Sequence, residues 1–316
     1  MRSRRGSPLS YYITRAHAFF SRLVEVLSFR PPIHRRKKKV QIMERIYKAK
    51  NGVVERTRFY VGDTARPRTG KKNASTPRKQ EANKNRAAHV LGRLLNNNFS
   101  QEDLNIELTF DNKSFRSLRS GAYAKLDKGS RSKREEKRDA IWDAAKKEGE
   151  KFIRRLRKAG AEDLRYVLVP SDMDGTTGDE VRVHLHLVIS GDCFVLADKQ
   201  LRLGQEGPTL GELWGKGIVL HEFLRGGSYN KLAAYLIRQT REIANRKKYT
   251  CSRNLEQIEP EEYITTLTPS EDFPTPKGYR REEWQGGASD RRAMQYARYV
   301  PEPNNQDRKQ KRRGKP

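Results

Sequence analysis

Two histidines project from one side of a predicted β-strand in residues 181–189, Val-Arg-Val-His-Leu-His-Leu-Val-Ile. Apolar and polar residues alternate in this segment, and a period of two is typical of a half-buried strand. Because side chains two positions apart in a strand point the same way, His184 and His186 lie next to each other. Two neutral imidazoles in this arrangement can bind one metal ion, whereas the ordinary alternative is a pair of polar residues on a solvated surface.

A tyrosine and two cations form a second candidate group, on a helix predicted over residues 228–245. Lys231, Tyr235 and Arg238 are spaced four and three residues apart, so they share one stripe of that helix. A neighbouring apolar stripe, which would face a sheet, contains Leu232, Leu236 and Ile243. A tyrosinate held by a cation is a nucleophile toward phosphorus where a metal withdraws charge. The alternative is a boundary tyrosine that keeps its hydroxyl in water.

The elements that would position these groups predict an α+β fold, with a central antiparallel sheet and helices packed on it. The predicted helices are residues 80–95, 135–158, 210–214 and 228–245, and the predicted strands are residues 104–110, 164–169, 181–189 and 218–223. The dipeptide Asn51-Gly52 favours a tight turn, which predicts a β-hairpin within residues 47–60. Strands and helices interleave around a strand-turn-strand centre, and that order favours an α+β protein.

The composition indicates a nucleic-acid partner. The 316 residues carry a formal net charge of +28, while only 34% are hydrophobic and 34% are charged. Such an excess of positive charge suits a polyphosphate, although a basic protein that only coats RNA has the same balance. Cys193 and Cys251 give neither a disulfide framework nor a zinc pattern, which fits a reducing compartment. The most apolar N-terminal stretch, residues 8–29, is interrupted by charges, so the sequence predicts no membrane partner.

The chain divides into three regions that differ in charge and in expected order. Residues 1–79 are a basic N-terminal extension that we expect to be partly disordered. Residues 80–260 are predicted to form the folded domain, and residues 261–316 are a basic C-terminal tail that we expect to be largely disordered. Flexible basic arms of this kind contact phosphates, and plain solvation is the alternative.

The order of these motifs resembles that of the HUH endonucleases, in particular the single-tyrosine rolling-circle replication initiators of plasmids and small single-stranded DNA phages. The resemblance covers roughly residues 83–260. The three family motifs match Leu108-Thr109-Phe110, His184-Leu185-His186 and Tyr235-Leu236-Ile237-Arg238. Weaker similarities to the family are found in Asn97-Asn98-Phe99 with Asp103 and in the segments 213–217 and 249–255. Each motif is short, and only their order and spacing together are specific.

This sequence departs from the family pattern at two places. Arg238 stands where the family has a lysine, and because arginine keeps its charge it can orient a phosphate but cannot act as a general base. The resemblance also implies a third metal ligand, commonly a carboxylate from the strand next to the histidines. Asp172 is the candidate for this ligand, with Glu180 behind it, and an ordinary turn residue is the alternative for both.

The resemblance implies a metal-dependent transesterification of DNA by a nicking domain of residues 80–260. His184, His186 and Asp172 would hold Mg²⁺ or Mn²⁺. Tyr235 would attack the phosphate, giving a 5′-phosphotyrosine link and a free 3′-OH, and Arg238 would assist it. The residues expected to contact single-stranded DNA are Arg182, Lys231, Tyr249, Ser252, Arg253 and Asn254.

Partners follow from the same resemblance. The substrate would be single-stranded DNA at a replication origin, in the cytoplasm of a bacterial host cell. A host polymerase would extend the 3′-OH, and a host helicase would unwind the duplex, because no Gly-x-x-x-x-Gly-Lys-Ser/Thr phosphate loop occurs in the sequence. Two alternative interpretations are a relaxase or transposase of the same superfamily and a non-catalytic basic nucleic-acid-binding protein.

Overall fold

A computed structural model of the chain describes residues 41–61, 76–127, 129, 133–243, 246–268, 271–285 and 294–302. This part of the chain is α+β, as the sequence predicts, and all of it belongs to one compact unit. The first 40 residues of the predicted N-terminal extension and the last 14 of the predicted tail lie outside the described residues.

Five helices lie within the described ranges: α1 (Pro77–Asn98), α2 (Asn112–Ala124), α3 (Arg134–Lys158), α4 (Leu210–Trp214) and α5 (Asn230–Arg238). The first six strands there are β1 (Gln41–Lys48), β2 (Val54–Val61), β3 (Leu104–Leu108), β4 (Tyr166–Met173), β5 (Glu180–Ile189) and β6 (Phe194–Ala197). The others are β7 (Gln200–Leu203), β8 (Val219–Phe223), β9 (Thr250–Cys251), β10 (Glu261–Thr265), β11 (Tyr279–Gln285) and β12 (Met294–Pro301). Of these elements, α2, the β6-β7 hairpin, β9 and the three C-terminal strands β10 to β12 are not predicted from the sequence.

The central sheet has the strand order β8-β3-β5-β4-β9, and all neighbouring strands are antiparallel. In its middle strand, His186 lies opposite Glu107 of β3 and Val169 of β4. His184 lies opposite Ser171 of β4. Directly opposite side chains lie on the same face of a sheet, so these five residues share one face.

Helices cover both faces of the central sheet. α3 packs on the face opposite the histidines, in a buried cluster that contains Ile106, Phe152, Leu168, Leu185 and Leu187. α1 and α5 cover the histidine face, in a cluster that contains Leu91, Leu95, Val169, Val188, Ala233 and Leu236. The sequence predicts a half-buried β5, but its second half is buried on both sides, because α5 covers His186 and α1 contributes to the cluster around Val188.

A second five-stranded sheet, of order β10-β1-β2-β12-β11, joins segments that are far apart in sequence. The predicted hairpin is confirmed as β1 and β2, and Gly52 in its turn has a left-handed φ of +85°. The prediction of a disordered C-terminal tail is wrong for residues 261–265, 279–285 and 294–301, which are the strands β10, β11 and β12.

The C-terminal strands are ordered because their charged residues find partners inside the second sheet. Arg58 of β2 is 1% exposed, and its guanidinium donates to Glu44 of β1 and Gln295 of β12. Tyr296 and Tyr299 of β12 are buried as well. A charged residue that is paired in this way can be buried, so the low apolar content of the segment does not prevent folding.

α1 connects the two sheets. Arg93 donates from Nε to Glu55 Oε2 of β2 at 2.6 Å, and its guanidinium lies 3.7 Å from the centroid of the Tyr47 ring. On its other side, α1 approaches α5 at Gly92, where a Cβ would lie 2.1 Å from Asn230 Oδ1. A larger residue at position 92 would have to displace the Asn230 side chain, so glycine accommodates this side chain between α1 and α5.

α5 is shorter than the helix predicted over residues 228–245. It ends at Arg238, so Ile243 does not belong to it. Gln239 is its C-cap, and the carbonyl oxygen of Gln239 accepts hydrogen bonds from the backbone N–H groups of Asp172 and Met173 in β4. The helix therefore stops where its backbone is bound by the neighbouring strand.

Candidate active site

His184 and His186 meet on the face of the central sheet that α1 and α5 cover. Their Nε2 atoms are 3.1 Å apart, and their ring centroids are 4.9 Å apart. The prediction that both side chains project from one face of β5 is confirmed. His186 is buried, whereas His184 is partly exposed and borders a cleft.

A third polar atom joins the two imidazoles. Gln239 Oε1 lies 3.1 Å from Nε2 of His184 and 3.1 Å from Nε2 of His186. The backbone of this buried glutamine is held on both sides. Its N–H donates to the carbonyl oxygen of Tyr235 at 3.3 Å, and its carbonyl oxygen accepts from the N–H of Asp172 at 3.2 Å. Two ring nitrogens from β5 and one amide oxygen from the end of α5 thus converge.

The protonation of these groups favours a bound cation. His184 Nδ1 lies 3.1 Å from the carbonyl oxygen of Arg182, which only accepts, so this contact places a proton on Nδ1 and leaves Nε2 toward Gln239. Burial lowers the pKa of His186 to about 4, with a further lowering by His184 and an opposing effect of the hydrogen bond to Gln239 Oε1. His186 is therefore neutral near pH 7 and can act as a ligand.

The residues present fit a divalent metal ion. The three atoms that converge, two imidazole Nε2 atoms and one amide Oε1, are the ones that would contact the ion. His186 Nδ1 and Gln239 Nε2 are also buried without a hydrogen-bond partner among the described residues, but neither would contact the ion, because Nδ1 is on the far side of the ring and the amide nitrogen is a donor. Imidazole nitrogen suits Mn²⁺ better than Mg²⁺, while the amide oxygen suits both. No group of three or more His, Cys, Asp or Glu residues within the described ranges could hold a metal ion, so this donor set depends on an amide.

Tyr235 lies one helical turn before Gln239 on α5. Its side chain is 40% exposed, and its ring centroid is 6.0 Å from that of His186. The ring borders a cleft of about 380 Å³, whose lining also includes Glu107, Thr109, Arg182, His184 and Gln239. The turn between β4 and β5 passes close to the ring at Gly175, where a Cβ would lie 3.0 Å from Tyr235 Cε2. The turn thus supports the ring on one side, and the side chain stays accessible from the cleft.

The segment 213–217 holds the end of β3 beside this cleft. Trp214 Nε1 donates to the carbonyl oxygen of Thr109 at 2.8 Å. Gly217 lies so near the same backbone that a Cβ would be 2.4 Å from the Thr109 oxygen. The position of Thr109 in the cleft therefore depends on both residues.

Comparisons with known proteins identify no relative. No family model matches the chain, and neither the curated proteins nor the solved structures provide a match. Among the described residues, no helix is both long enough and apolar enough to cross a membrane. The function is therefore inferred from the residues of the site itself.

The position of Asp172 differs from the predicted one. Its carboxylate Oδ2 accepts hydrogen bonds from Arg138 at 3.1 Å and from Arg241 at 2.7 Å, and no hydrogen bond joins its side chain to a histidine in the described part. A β-bulge in β4 between Ser171 and Met173 accounts for this, because it interrupts the alternation that aligns Ser171 with His184. Glu180, the predicted second candidate, pairs with Arg134 and Arg138. The third group beside the histidines is Gln239.

One predicted cation lines the cleft, and two lie on the stripe of α5 that carries Tyr235. Lys231 and Arg238 are exposed on the same side of α5 as Tyr235, and neither side chain has a hydrogen bond or ion pair among the described residues. Arg182 lines the cleft, where it donates to Asn112 Oδ1 at 3.1 Å, and its guanidinium lies 4.8 Å from the centroid of the Phe115 ring. Lys231 and Arg238 are therefore available to an anionic substrate near Tyr235, whereas Arg182 already has a partner.

The other predicted DNA contacts do not line the cleft. Ser252 is buried, and its Oγ accepts from the N–H of Tyr166, which is five residues from Ser171 on β4 and thus roughly 16 Å away along the strand. Asn254 Nδ2 donates to the carbonyl oxygen of Asp163 at 2.9 Å. Tyr249 packs against a buried cluster, where burial raises the pKa of its hydroxyl, and Arg253 is exposed. The structure does not bring these four residues to the histidines.

Two residues of the cleft are missed by the sequence interpretation. Gln239 follows Tyr235 by four positions, so it lies one turn further along the helix, and that spacing could have identified it. Glu107 lies opposite His186 on the same face of the sheet, lines the cleft, and has no hydrogen-bond partner among the described residues. The alternation of β3 could have identified it, because Asn105 and Glu107 face away from the buried leucines of that strand.

Proposed function

We propose that this chain is a metal-dependent, tyrosine-based endonuclease and strand transferase that nicks and rejoins single-stranded DNA, and that it initiates rolling-circle replication in the manner of the HUH endonucleases. The observation that carries the proposal is the placement of Tyr235 and Gln239 one turn apart on α5. This spacing positions an accessible tyrosine beside the two imidazoles and the amide oxygen.

The reaction is a transesterification at phosphorus. Tyr235 Oη forms a bond to the phosphorus, and the bond from phosphorus to the 3′ oxygen breaks, which gives a 5′-phosphotyrosine and a 3′-OH. Glu107, which lines the same cleft as Tyr235, would accept the tyrosine proton, and the leaving 3′ oxygen would take up a proton from water. Since the phosphoester energy is kept in the covalent link, a later 3′-OH can attack the phosphotyrosine and rejoin the strand.

The remaining groups bind and orient the phosphate. His184, His186 and Gln239 would hold Mn²⁺ or Mg²⁺, which when bound polarises the phosphate and stabilises the charge that develops on it. Arg238 keeps its positive charge at all relevant pH values, so it orients the phosphate and does not act as a base. Lys231 and Arg182 add positive charge at the margins of the cleft.

The shape of the cleft favours a single strand. Tyr235 is on a helix inside a cleft of about 380 Å³, and a stacked duplex cannot bring its phosphate to such a residue without distortion. The formal net charge of +28 supports a nucleic-acid substrate in general. We propose a replication origin as the natural site, with a host polymerase extending the 3′-OH and a host helicase unwinding the duplex.

The test is a covalent adduct assay. The full chain is incubated with a pool of labelled single-stranded DNA and Mn²⁺, with and without EDTA, and the products are separated on a denaturing gel. We expect a DNA–protein adduct that requires the metal and is lost in Tyr235→Phe.

Tyr229→Phe is the matched control in this assay. Tyr229 precedes the same helix but is buried, and burial raises the pKa of its hydroxyl to about 12, so it is a poor nucleophile. We expect this variant to form the adduct at the wild-type level. An adduct that persists in Tyr235→Phe would contradict the assignment of the nucleophile. Salt-sensitive DNA binding without any adduct, from a pool that contains the true origin, would instead identify a non-catalytic binding protein.

A further inference from the structure

A groove lined by lysines lies between α2 and α3, outside the site described above. Its volume is about 700 Å³. Five lysines line it: Lys113, Lys125, Lys147, Lys151 and Lys216. Asp111 and Glu148 are the two carboxylates in its lining, so the groove carries an excess of positive charge.

Three of the five lysines are free to bind an anion. Glu148 pairs with Lys151 at 2.7 Å and with Lys216 at 3.3 Å, and these two lysines lower the pKa of its carboxyl. Asp111 is occupied as the N-cap of α2, where its side chain accepts from the N–H of Ser114. The side-chain ammonium groups of Lys113, Lys125 and Lys147 have no hydrogen bond or ion pair within the described ranges.

The wall of the groove offers little to a nucleobase. Between the lysines it presents the small residues Ser114, Ser117, Gly121, Ala122 and Ala144, and its one aromatic residue, Phe110, is 3% exposed. Base recognition requires exposed aromatic faces or fixed hydrogen-bonding edges, whereas flexible lysines contact phosphates as point charges. The chemistry of the lining therefore fits a phosphate backbone.

The groove is adjacent to the Tyr235 cleft. Phe110 lines both, and Thr109 on the cleft side is followed two positions later by Asp111 on the groove side. At its far end, beyond Lys125 and Lys147, the surface carries three carboxylates that are paired with cations. These carboxylates belong to Glu136, Asp139 and Asp143. The unpaired positive charge of the groove therefore ends there.

We infer that this groove binds the phosphate backbone of the single-stranded DNA that continues from the Tyr235 cleft, without reading its sequence. The inference rests on the proposed function for the identity of the strand. It adds a second contact region on α2 and α3, which none of the motifs of the chain includes. A strand held in the groove stays attached to the protein while its neighbouring phosphate reacts.

The test compares two triple variants of equal charge in the full chain. The groove variant is Lys113→Gln, Lys125→Gln, Lys147→Gln. The control is Lys79→Gln, Lys158→Gln, Lys199→Gln, which removes three exposed lysines outside the groove that also have no ion pair in the described part. Binding of fluorescein-labelled dT30 is measured by anisotropy from 50 to 300 mM NaCl, without divalent metal. The salt is varied because the salt dependence of binding reports the number of phosphate contacts.

We expect the groove variant to bind dT30 more weakly than the control and with a shallower salt dependence. Each lost lysine–phosphate contact lowers the slope of log K against log salt by about 0.7 for a single strand, so three contacts lower it by about two. Equal slopes for the two variants would overturn the inference. It would also be overturned by an equal or larger loss on a 30-base-pair duplex, which would identify a duplex surface.

A measurement on the wild-type chain avoids any effect of the substitutions on folding. Lysines are acetylated with and without dT30 and quantified by mass spectrometry. We expect Lys113, Lys125 and Lys147 to be protected and Lys158 to stay reactive, whereas equal reactivity of all four would contradict the inference. Because dT30 binding requires neither metal nor the Tyr235 hydroxyl, this result is independent of the adduct assay. An adduct without groove protection refutes only the groove, and groove protection without an adduct refutes only the nuclease.

Discussion

The amide oxygen of Gln239 lies 3.1 Å from Nε2 of His186, although the glutamine ends a helix and the histidine is in the middle of a sheet. Replacing Gln239 with alanine removes the oxygen that lies 3.1 Å from Nε2 of both imidazoles. We expect Gln239→Ala to weaken Mn²⁺ binding, which calorimetric titration measures. Loss of a residue that only hydrogen-bonds to a ligand weakens metal binding roughly 10–100-fold, and loss of the ligand itself should cost more.

Gln239→Glu is the matched control for that change. It keeps an oxygen at the same position and adds a negative charge, so we expect Mn²⁺ to bind at least as tightly as in the wild type. If Gln239→Ala and the wild type bind Mn²⁺ equally, Gln239 is not a ligand.

Asp172 is expected to affect stability more than metal binding. Its buried carboxylate is paired with Arg138 and Arg241, so Asp172→Asn removes the buried counter-charge that these two cations share and leaves them only Glu180 and Asp139. We expect the free energy of unfolding in urea to fall by about 3 kcal/mol. Glu180→Gln is the control, because Glu180 also pairs with Arg138 but is 37% exposed, and its loss should cost less than about 1 kcal/mol. A large loss of Mn²⁺ affinity in a folded Asp172→Asn protein would restore Asp172 as the ligand.

The low pKa of His186 predicts a defined pH dependence of stability. Burial lowers this pKa to about 4 in the folded chain, against about 6.5 in the unfolded chain. Between these values the unfolded state binds more protons, so stability falls as the pH drops from 6.5 to 4 and is fully present above 6.5. At the low end of this window the titration of His186 has lowered the free energy of unfolding by about 3 kcal/mol.

Urea unfolding at several pH values in this window measures the effect, with His186→Gln for comparison. Burial also lowers the pKa of His89, so part of the slope should persist in the variant. Identical slopes for the wild type and His186→Gln would show that His186 does not titrate as the structure implies.

Gly175 is expected to control the position of the nucleophile. A Cβ there would lie 3.0 Å from both Tyr235 Cε2 and Gln239 Cγ, so Gly175→Ala must displace one of them by a few tenths of an ångström. We expect adduct formation to slow roughly tenfold, since small misplacements of reacting groups are costly. Gly211→Ala is the control, because a Cβ at Gly211 has an ordinary contact of 3.8 Å. Equal rates for the two variants would show that the turn does not hold the ring.

The sequence suffices for those parts of the site that depend on local periodicity. His184 and His186 share a face because a strand repeats every two residues, and Tyr235 lies on a helix because its apolar neighbours recur at helical spacing. Gln239 is not predicted, because its role depends on where α5 ends. That end is set by hydrogen bonds from Asp172 and Met173, which come from a distant strand.

The second sheet is not predicted from the sequence, for a related reason. β1 and β2 pair with β10 and β12, which are more than 200 residues away in sequence, and a single sequence carries no signal for such pairing. The high charge of these strands predicts disorder, but Arg58 and Glu44 compensate each other inside the sheet. Composition describes how much apolar surface a segment has, and it does not describe which charges meet.

The most direct test of the central claim is to identify the residue that carries the DNA. The adduct formed with Mn²⁺ is treated with nuclease and trypsin, and the modified peptide is sequenced by mass spectrometry. Cleavage after Lys231 and Arg238 yields the peptide Leu232–Arg238, in which Tyr235 is the only residue with a hydroxyl group. We predict that this peptide carries a nucleotide joined through its 5′ phosphate to Tyr235. A nucleotide on any other peptide, or an unmodified peptide from protein that has cleaved the DNA, would contradict the account.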